Sequence, residues 1–439
     1  SETDGTNFEV YAAGVRNTHE FVFDKYGNLI TVDNDGDHDG EFERLVYLVN
    51  GSDSGWRTNW QFGKYTDDKN NDYKVWMDEN YFRPRWEGQA AHVLPPLSEY
   101  YAGPAGMSYN PGTALNDQWE NHFFVMSFRG SAEYSNIYAF TLEENGASYE
   151  LATNQEALNG VLAVGLDFGP DGALYMTDWI RGWGQKNQGR IWKLDDVENT
   201  DSEARIQTKQ LLEASFTDQS SDQLFEYLGH DDMRIRQKAQ FELANRGDTS
   251  TLERAIADGN EQLARIHGIW GLAQMGRSDA DAVAPLITLL DDPDHEIRSQ
   301  AAKWLGDVRY TPAAESVSEL LKDSHPRVRF FATEALGRMS YWKAFDQVVK
   351  MLEENNDEDV YLRHAGAIAL ERIGDEQKLT DLHDHQSRGV RIAAVVALQR
   401  LESDGVVEFL GDSDEFIVTN AARAINDDRM INSGLNELS

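Results

Sequence analysis

The chain has 439 residues, 40% of them hydrophobic and 26% charged, which is the balance of a soluble globular protein long enough for two domains. Forty basic against seventy-six acidic side chains give a formal charge of −36, a surface that repels phosphate backbones and excludes nucleic acid and anionic lipid as natural partners. Cysteine is absent, which removes disulfides, thiolate metal sites, cysteine nucleophiles and c-type haem attachment. No run approaches eighteen apolar residues, so no membrane-spanning helix is expected.

The chain opens Ser1-Glu2-Thr3-Asp4 without an initiator methionine or a charged-then-apolar leader, and reads as a mature form or a fragment. As far as about residue 195, short alternating runs sit between clusters of Gly, Asn and Asp, as strands and turns do. Phe8–Tyr11, Leu29–Val32, Arg44–Val49 and Phe123–Met126 are expected strands. Two stretches repeat one phrase: Phe21 to Asp33, and Leu166 to Asp178, each a strand, a turn with glycine, and a strand ending in aspartate. A third, weaker copy runs from Ala105 to Gly112. Eight of the eleven tryptophans lie in this first part. Of these, Trp56, Trp60, Trp76, Trp86, Trp179 and Trp183 read chiefly as inter-sheet packing, with sugar stacking as the functional alternative.

The run Asp33-Asn34-Asp35-Gly36-Asp37-His38-Asp39-Gly40-Glu41-Phe42-Glu43 is the sharpest local cluster. Carboxylates alternating in a loop can wrap a hard cation, since Ca²⁺ takes six to eight oxygens at about 2.3–2.6 Å. Asp33, Asp35, Asp37, Asp39 and Glu41 are the expected metal ligands, against the reading of a solvated acidic turn. An EF-hand is excluded, because Arg44 stands where the bidentate glutamate would be and strands flank the loop.

After a polar stretch from Asp195 to Thr208 the spacing becomes helical and repeats. Aligning Arg236, Arg265, Arg298, Arg329, Arg363, Arg391 and Val418 gives successive intervals of 29, 33, 31, 34, 28 and 27 residues. Seven units of this length predict an α-solenoid of paired helices. Within one unit Ile297, Ala301 and Leu305 form an apolar stripe, with Val283, Leu286, Ile287 and Leu290 on the preceding helix. Arg298, Arg329 and Arg363 each follow an aspartate by six residues (Asp292, Asp323, Asp357), which reads as a ladder of inter-repeat ion pairs rather than an anion site. His383-Asp384-His385 falls between helices and reads as a solvent loop.

Two resemblances follow from these motifs. Residues from about 205 to 430 resemble HEAT-like repeats of the short, lyase-associated kind, which implies a curved superhelix that binds proteins. The two repeated phrases, with Gly14-Val15-Arg16-Asn17, Gly51 to Trp56 and Gly189-Arg190-Ile191-Trp192, resemble soluble quinoprotein (PQQ-dependent) glucose/sorbosone dehydrogenase propellers. They are closest to a "membrane-bound dehydrogenase domain" family in which such a propeller precedes HEAT repeats. That resemblance implies a six-bladed propeller, PQQ and Ca²⁺ as cofactors, and periplasmic or cell-surface export. It places Arg16 near the cofactor mouth, with Asp178 and Arg181 as further cofactor-binding candidates, although His19 departs from the family phrase. The expected fold is thus β plus α: a partial, about three-blade β-propeller over 1–197, then a helical solenoid over 205–432. Its catalytic histidine has no counterpart here, so the catalytic residue is unknown and the chain alone is expected to be inactive. A second chain completing the propeller, a protein docked on the solenoid and a carbohydrate are the expected partners. The alternative is a non-catalytic glycan- or protein-binding scaffold.

Overall fold

The computed structural model describes residues 5–67, 75–257, 259–427 and 431. The opening Ser1–Asp4 and residue 432, the expected end of the repeats, lie outside them. The chain divides into two compact units. The first takes in residues 1–89, 95–145 and 149–242; the second residues 90–94, 146–148 and 243–439.

The first unit is built on three small antiparallel sheets, none of them closed. Strands β2 (Phe21–Phe23), β3 (Leu29–Asp33), β4 (Glu43–Leu48) and β6 (Ser98–Tyr100) form one, in that order. The second holds β7 (Pro104–Tyr109), β8 (Phe123–Ser127), β9 (Asn136–Asn145) and β10 (Ser148–Asn159), again as consecutive neighbours. The third has only β11 (Ala163–Phe168), β12 (Leu174–Asp178) and β13 (Arg190–Leu194). Both repeated phrases therefore fold as the hairpins their turn residues require, β2–β3 with Val22 opposite Ile30 and β11–β12 with Leu166 opposite Met176. Ile30, Leu45, Phe124, Ile137, Leu166 and Leu174 carry the core, each 5% exposed or less.

The first strands of the sheets approach closely. A side chain on Gly106 of β7 would lie 2.6 Å from the Gly165 Cα of β11, so only glycine permits this contact. Glu20, just before β2, accepts a 2.6 Å bond from the Met107 N–H on β7, and Ser108 donates to Asp167 on β11. The expected strand at Phe8–Tyr11 does not form: only Ala12–Ala13 (β1) pairs, in parallel, with Ser52–Asp53 (β5). Phe8 and Val10 are left exposed, while the Tyr11 carbonyl accepts from the Gly51 N–H just before β5. Two short helices, α1 (Thr58–Lys64) and α2 (Val75–Asp78), lie between β5 and β6; after β13 ends at Leu194 the chain turns helical, and α3 (Glu203–Glu213) and α4 (Ser221–Leu228) belong to this unit, as does most of α5 (Met233–Arg246). Arg205 and Arg234 tie them to the β11–β12 turn by donating to the carbonyls of Asp171, Phe168 and Gly169.

The second unit is a HEAT-like helical solenoid. Its longer helices are α7 (Gln262–Gly276), α8 (His295–Asp307), α10 (Pro326–Arg338), α12 (Val360–Ile373) and α14 (Arg388–Leu401). Each of the last four opens where an Asp or Ser side chain caps it, as Asp294, Asp359 and Ser387 do, or where Pro326 supplies the first residue. The segment carrying Val283, Leu286 and Leu290 winds as a 3₁₀ run over Ala280–Asp291, with Pro285 inside it denying a regular α-helix its hydrogen bond. Ile297, Ala301 and Leu305 are fully buried, as their spacing requires. Gly306 lets α8 touch α10, since a Cβ there would lie 2.5 Å from the Ala335 Cα.

The aspartate–arginine pattern is a ladder with a different partner rule. Arg298 reaches forward to the Asp323 carboxylate of the next repeat (2.7 and 3.0 Å), and Arg265 pairs in the same way with Asp292. The aspartate six residues back is met at its backbone carbonyl instead, Asp292 by Arg298 and Asp323 by Arg329, each at 2.7 Å. Arg363 alone of these takes the carboxylate of its own Asp357, at 2.5 Å. Inside the repeats runs a buried polar chain. Trp270 donates to Gln300 (2.9 Å), Gln300 to Glu296 (2.6 Å), and Arg327 clasps Glu296 through 2.7 and 3.2 Å bonds.

Candidate functional site

The strand-rich unit contains a cavity of about 610 Å³. Its polar lining comes from the segment before β2 (Arg16, Asn17, His19), from the loop between β3 and β4 (Asn34, Asp35, Asp37) and from Glu43 at the start of β4. Ala102–Ala105 brings backbone to the wall, and Phe128, Trp179 and Trp183 supply an aromatic side.

Asp33 explains why these segments meet. It is fully buried, pairs with Arg44 directly across the β3–β4 ladder, and accepts the Arg16 and Asn17 N–H groups at 3.0 and 2.9 Å. A buried aspartate so surrounded is a positioning group that fixes the Arg16–Asn17 turn. Arg16 in turn donates to Asn34 and Gln61, lies 3.5 Å from Asp37, and faces the Trp56 ring.

The five carboxylates of the acidic loop are not gathered into one shell. Glu41 points inward, where it accepts both indole N–H groups of Trp60 (2.9 Å) and Trp76 (2.7 Å) and the His38 N–H (2.8 Å). Asp33 is engaged by Arg44, and Asp39 is exposed. Among the described residues no three of Asp33, Asp35, Asp37, Asp39 and Glu41 bring ligand atoms within 4.8 Å of one another. Asp35 and Asp37 do line the cavity, joined by Glu43, which closes the acidic run but was not among the expected ligands. Burial raises the Asp35 carboxyl above the usual range, and the charges of Glu41 and Asp37 add to this. Burial, followed by the charge of Asp35, pushes Glu43 up to about 7, although its carboxylate accepts the Gly103 N–H at 2.8 Å.

Asp178 does not face the cavity lining. It is a buried turn carboxylate that accepts from Ile180 N–H and Trp192 Nε1, both at 2.7 Å, and pairs with Arg190 at 3.0 Å. Arg181 is exposed, in the loop that carries Trp183. The tryptophans divide by role: Trp56, Trp60 and Trp76 are core, whereas Trp179 and Trp183 line the cavity and Trp183 is 74% exposed. His383 and His385 bond to their own turn, through Thr380 O and Ser387 N–H. Arg129, a cavity residue absent from the sequence reading as Phe128 and Val164 are, has no motif around it; its place follows from β8 ending beside Trp183.

A family profile described as HEAT repeats matches residues 249–324 and 314–399. No curated protein matches the chain. Among solved structures, the complex of CpcE and CpcF of phycocyanin lyase from Nostoc sp. PCC7120 is similar at 16% identity and a TM-score of 0.30, over 50% of this chain and 92% of that one. An archaeal HEAT-like repeats protein from Thermococcus onnurineus NA1 matches at 16% identity and 0.30, over 40% and 78%. A glucose dehydrogenase matches at 17% identity and 0.29, over 44% of this chain and 49% of that one. Likenesses this distant say nothing about activity.

Proposed function

We propose that this chain is a binding scaffold, in which the HEAT-like solenoid docks a protein and the cavity of the first unit holds a sugar. The observation that carries the sugar reading is the cavity's two-sided wall. Flat indole and phenyl rings (Trp179, Trp183, Phe128) stand with amide, carboxyl and guanidinium groups (Asn17, Asn34, Asp35, Arg16), the pairing that grips a ring with one apolar face and a hydroxyl-rich edge. Calorimetric titration with neutral mono- and disaccharides tests it. Binding that is lost in Trp183→Ala supports the reading, and no heat from any sugar sinks it.

A second reading keeps the quinoprotein dehydrogenase kinship. It is favoured by the Arg16–Asn17 pair lining the cavity and by three successive antiparallel sheets whose first strands adjoin, as blades of a propeller would. The donor set fits the expected Ca²⁺ poorly, since Asp33 and Glu41 already hold other partners. Under this reading PQQ would bring the redox chemistry, Arg16 and Asn17 would orient it, and a further polypeptide would complete the ring in an exported assembly. Fluorescence titration with PQQ and Ca²⁺, followed by a dye-reduction assay on aldoses, decides it. Binding without turnover is expected of this chain alone, and the absence of binding removes the reading.

A further inference from the structure

The geometry points to an anionic sugar, carboxylated or sulfated, as the ligand of the cavity, held at the rim by Arg129, Arg181 and Lys186. This rests on the sugar-binding reading above and names its substrate class. In a chain with 76 acidic and 40 basic residues, most arginines find a carboxylate; Arg44, Arg57, Arg190 and Arg205 do so in this unit alone. Arg129, Arg181 and Lys186 are exposed and, among the described residues, none is within ion-pair distance of a carboxylate, although Arg129 acts on Glu43 from farther off.

They are also gathered in one place. The Gly182 N–H donates to Gly130 O at 2.7 Å, which lays the loop carrying Arg181 and Lys186 against the end of β8 carrying Arg129. Lys186 folds back over that loop, with its Nζ about 4 Å from where side chains on Gly182 and Gly184 would begin. Between these cations stands Trp183. It is exposed yet fixed, edge-on to Phe128 at 4.9 Å and so close over Gly130 that a Cβ there would lie 2.5 Å from its indole nitrogen. An indole held open to solvent in a loop that carries Arg181 and Lys186 offers a stacking face and positive charge together; a neutral sugar can use only the first, an acidic sugar both. Of the cavity carboxylates, Asp37 lies 3.5 Å from Arg16, Arg16 also acts on Asp35, and Arg129 acts on Glu43, so Arg181 and Lys186 are the cations left for a ligand.

The test is calorimetry on the full chain with digalacturonate, glucose 6-sulfate, glucose and glucosamine as probes. Digalacturonate or the sulfate should bind about tenfold or more tightly than glucose at low salt, and added salt should narrow the gap. Which of the two binds tighter separates carboxylate from sulfate as the source of the charge. In the Arg129→Gln/Arg181→Gln variant, the preference for the acidic sugar over glucose, both measured on that variant, should be lost. Both positions are exposed, so folding is not at stake, and a circular dichroism spectrum verifies this. Equal affinity for glucose, tighter binding of glucosamine, or an indifferent double variant would overturn the inference and leave the sugar site standing. Failure of every probe would remove the sugar site itself.

Discussion

The buried pair between Arg327 and Glu296 offers the sharpest test of how the solenoid is held together. Arg327 and Glu296 are each about 2% exposed, and the two bonds between them join α10 to α8. Replacing Arg327 by Met keeps most of the aliphatic stem against Phe331, whose ring lies 4.8 Å from the guanidinium carbon. It leaves Glu296 buried, with only Gln300 among its partners named above. Stranding one member of such a pair costs about 3–5 kcal/mol, whereas replacing both by apolar residues is close to neutral. Arg327→Met alone should therefore lower the stability of the helical signal by about 3–5 kcal/mol, and Glu296→Leu with Arg327→Met should recover most of that loss. Urea unfolding followed by circular dichroism at 222 nm measures it, with fluorescence of Trp270 and Trp304, which both donate to Gln300, as the local probe. A single variant that costs under about 0.5 kcal/mol, the effect of an ordinary surface change, would refute the reasoning.

Three more outcomes are expected. Burial would raise the Asp323 carboxyl, but bonds from Arg298 and the His325 N–H outweigh it and hold the carboxyl below its ordinary value. A depressed carboxyl stabilises above the ordinary carboxylate range and loses that stabilisation as pH falls through its folded pKa, so Asp323→Asn should destabilise at pH 7 and converge with the parent below about pH 4 in acid titrations. Gly306→Ala forces a methyl against the Ala335 backbone and should cost about 1–3 kcal/mol, read as a lower melting temperature. Glu41→Ala strands two indole N–H groups in the core; unfolding midpoints should drop by an amount equal to about 1–3 kcal/mol per orphaned donor, with a shift in tryptophan emission.

The solenoid was legible because its signal is repeated: a stripe such as Ile297, Ala301, Leu305 recurs with an arginine at a fixed place, and each copy confirms the last. The hairpins were legible because Gly27 and Gly172 take the positive φ that their turns need. What stayed hidden was pairing over distance. Asp33 reads as the first ligand of a cation loop until the ladder sets it against Arg44, the residue whose charge had already excluded an EF-hand. Glu41 reads as the last ligand until Trp60 and Trp76, 19 and 35 residues away, claim it. Glu43 closes the acidic run, but no spacing rule connects it to Gly103, whose N–H it accepts beside the cavity, and Arg129 carries no motif at all. Six tryptophans that look alike in sequence separate only once the sheets are in place: three into the core, two into the cavity wall, and Trp86 onto the surface.

The repeated arginine has a consequence for how such a chain can grow. Arg236, Arg298, Arg329 and Arg391 each donate from Nη1 to two carbonyls in the turn just before their own helix, at positions five and six residues back. Each of these four corners is thereby pinned at its backbone by a residue of its own repeat. Whole modules can be duplicated or deleted without reshaping the corners that remain, and flexing is confined to the seams where one module meets the next.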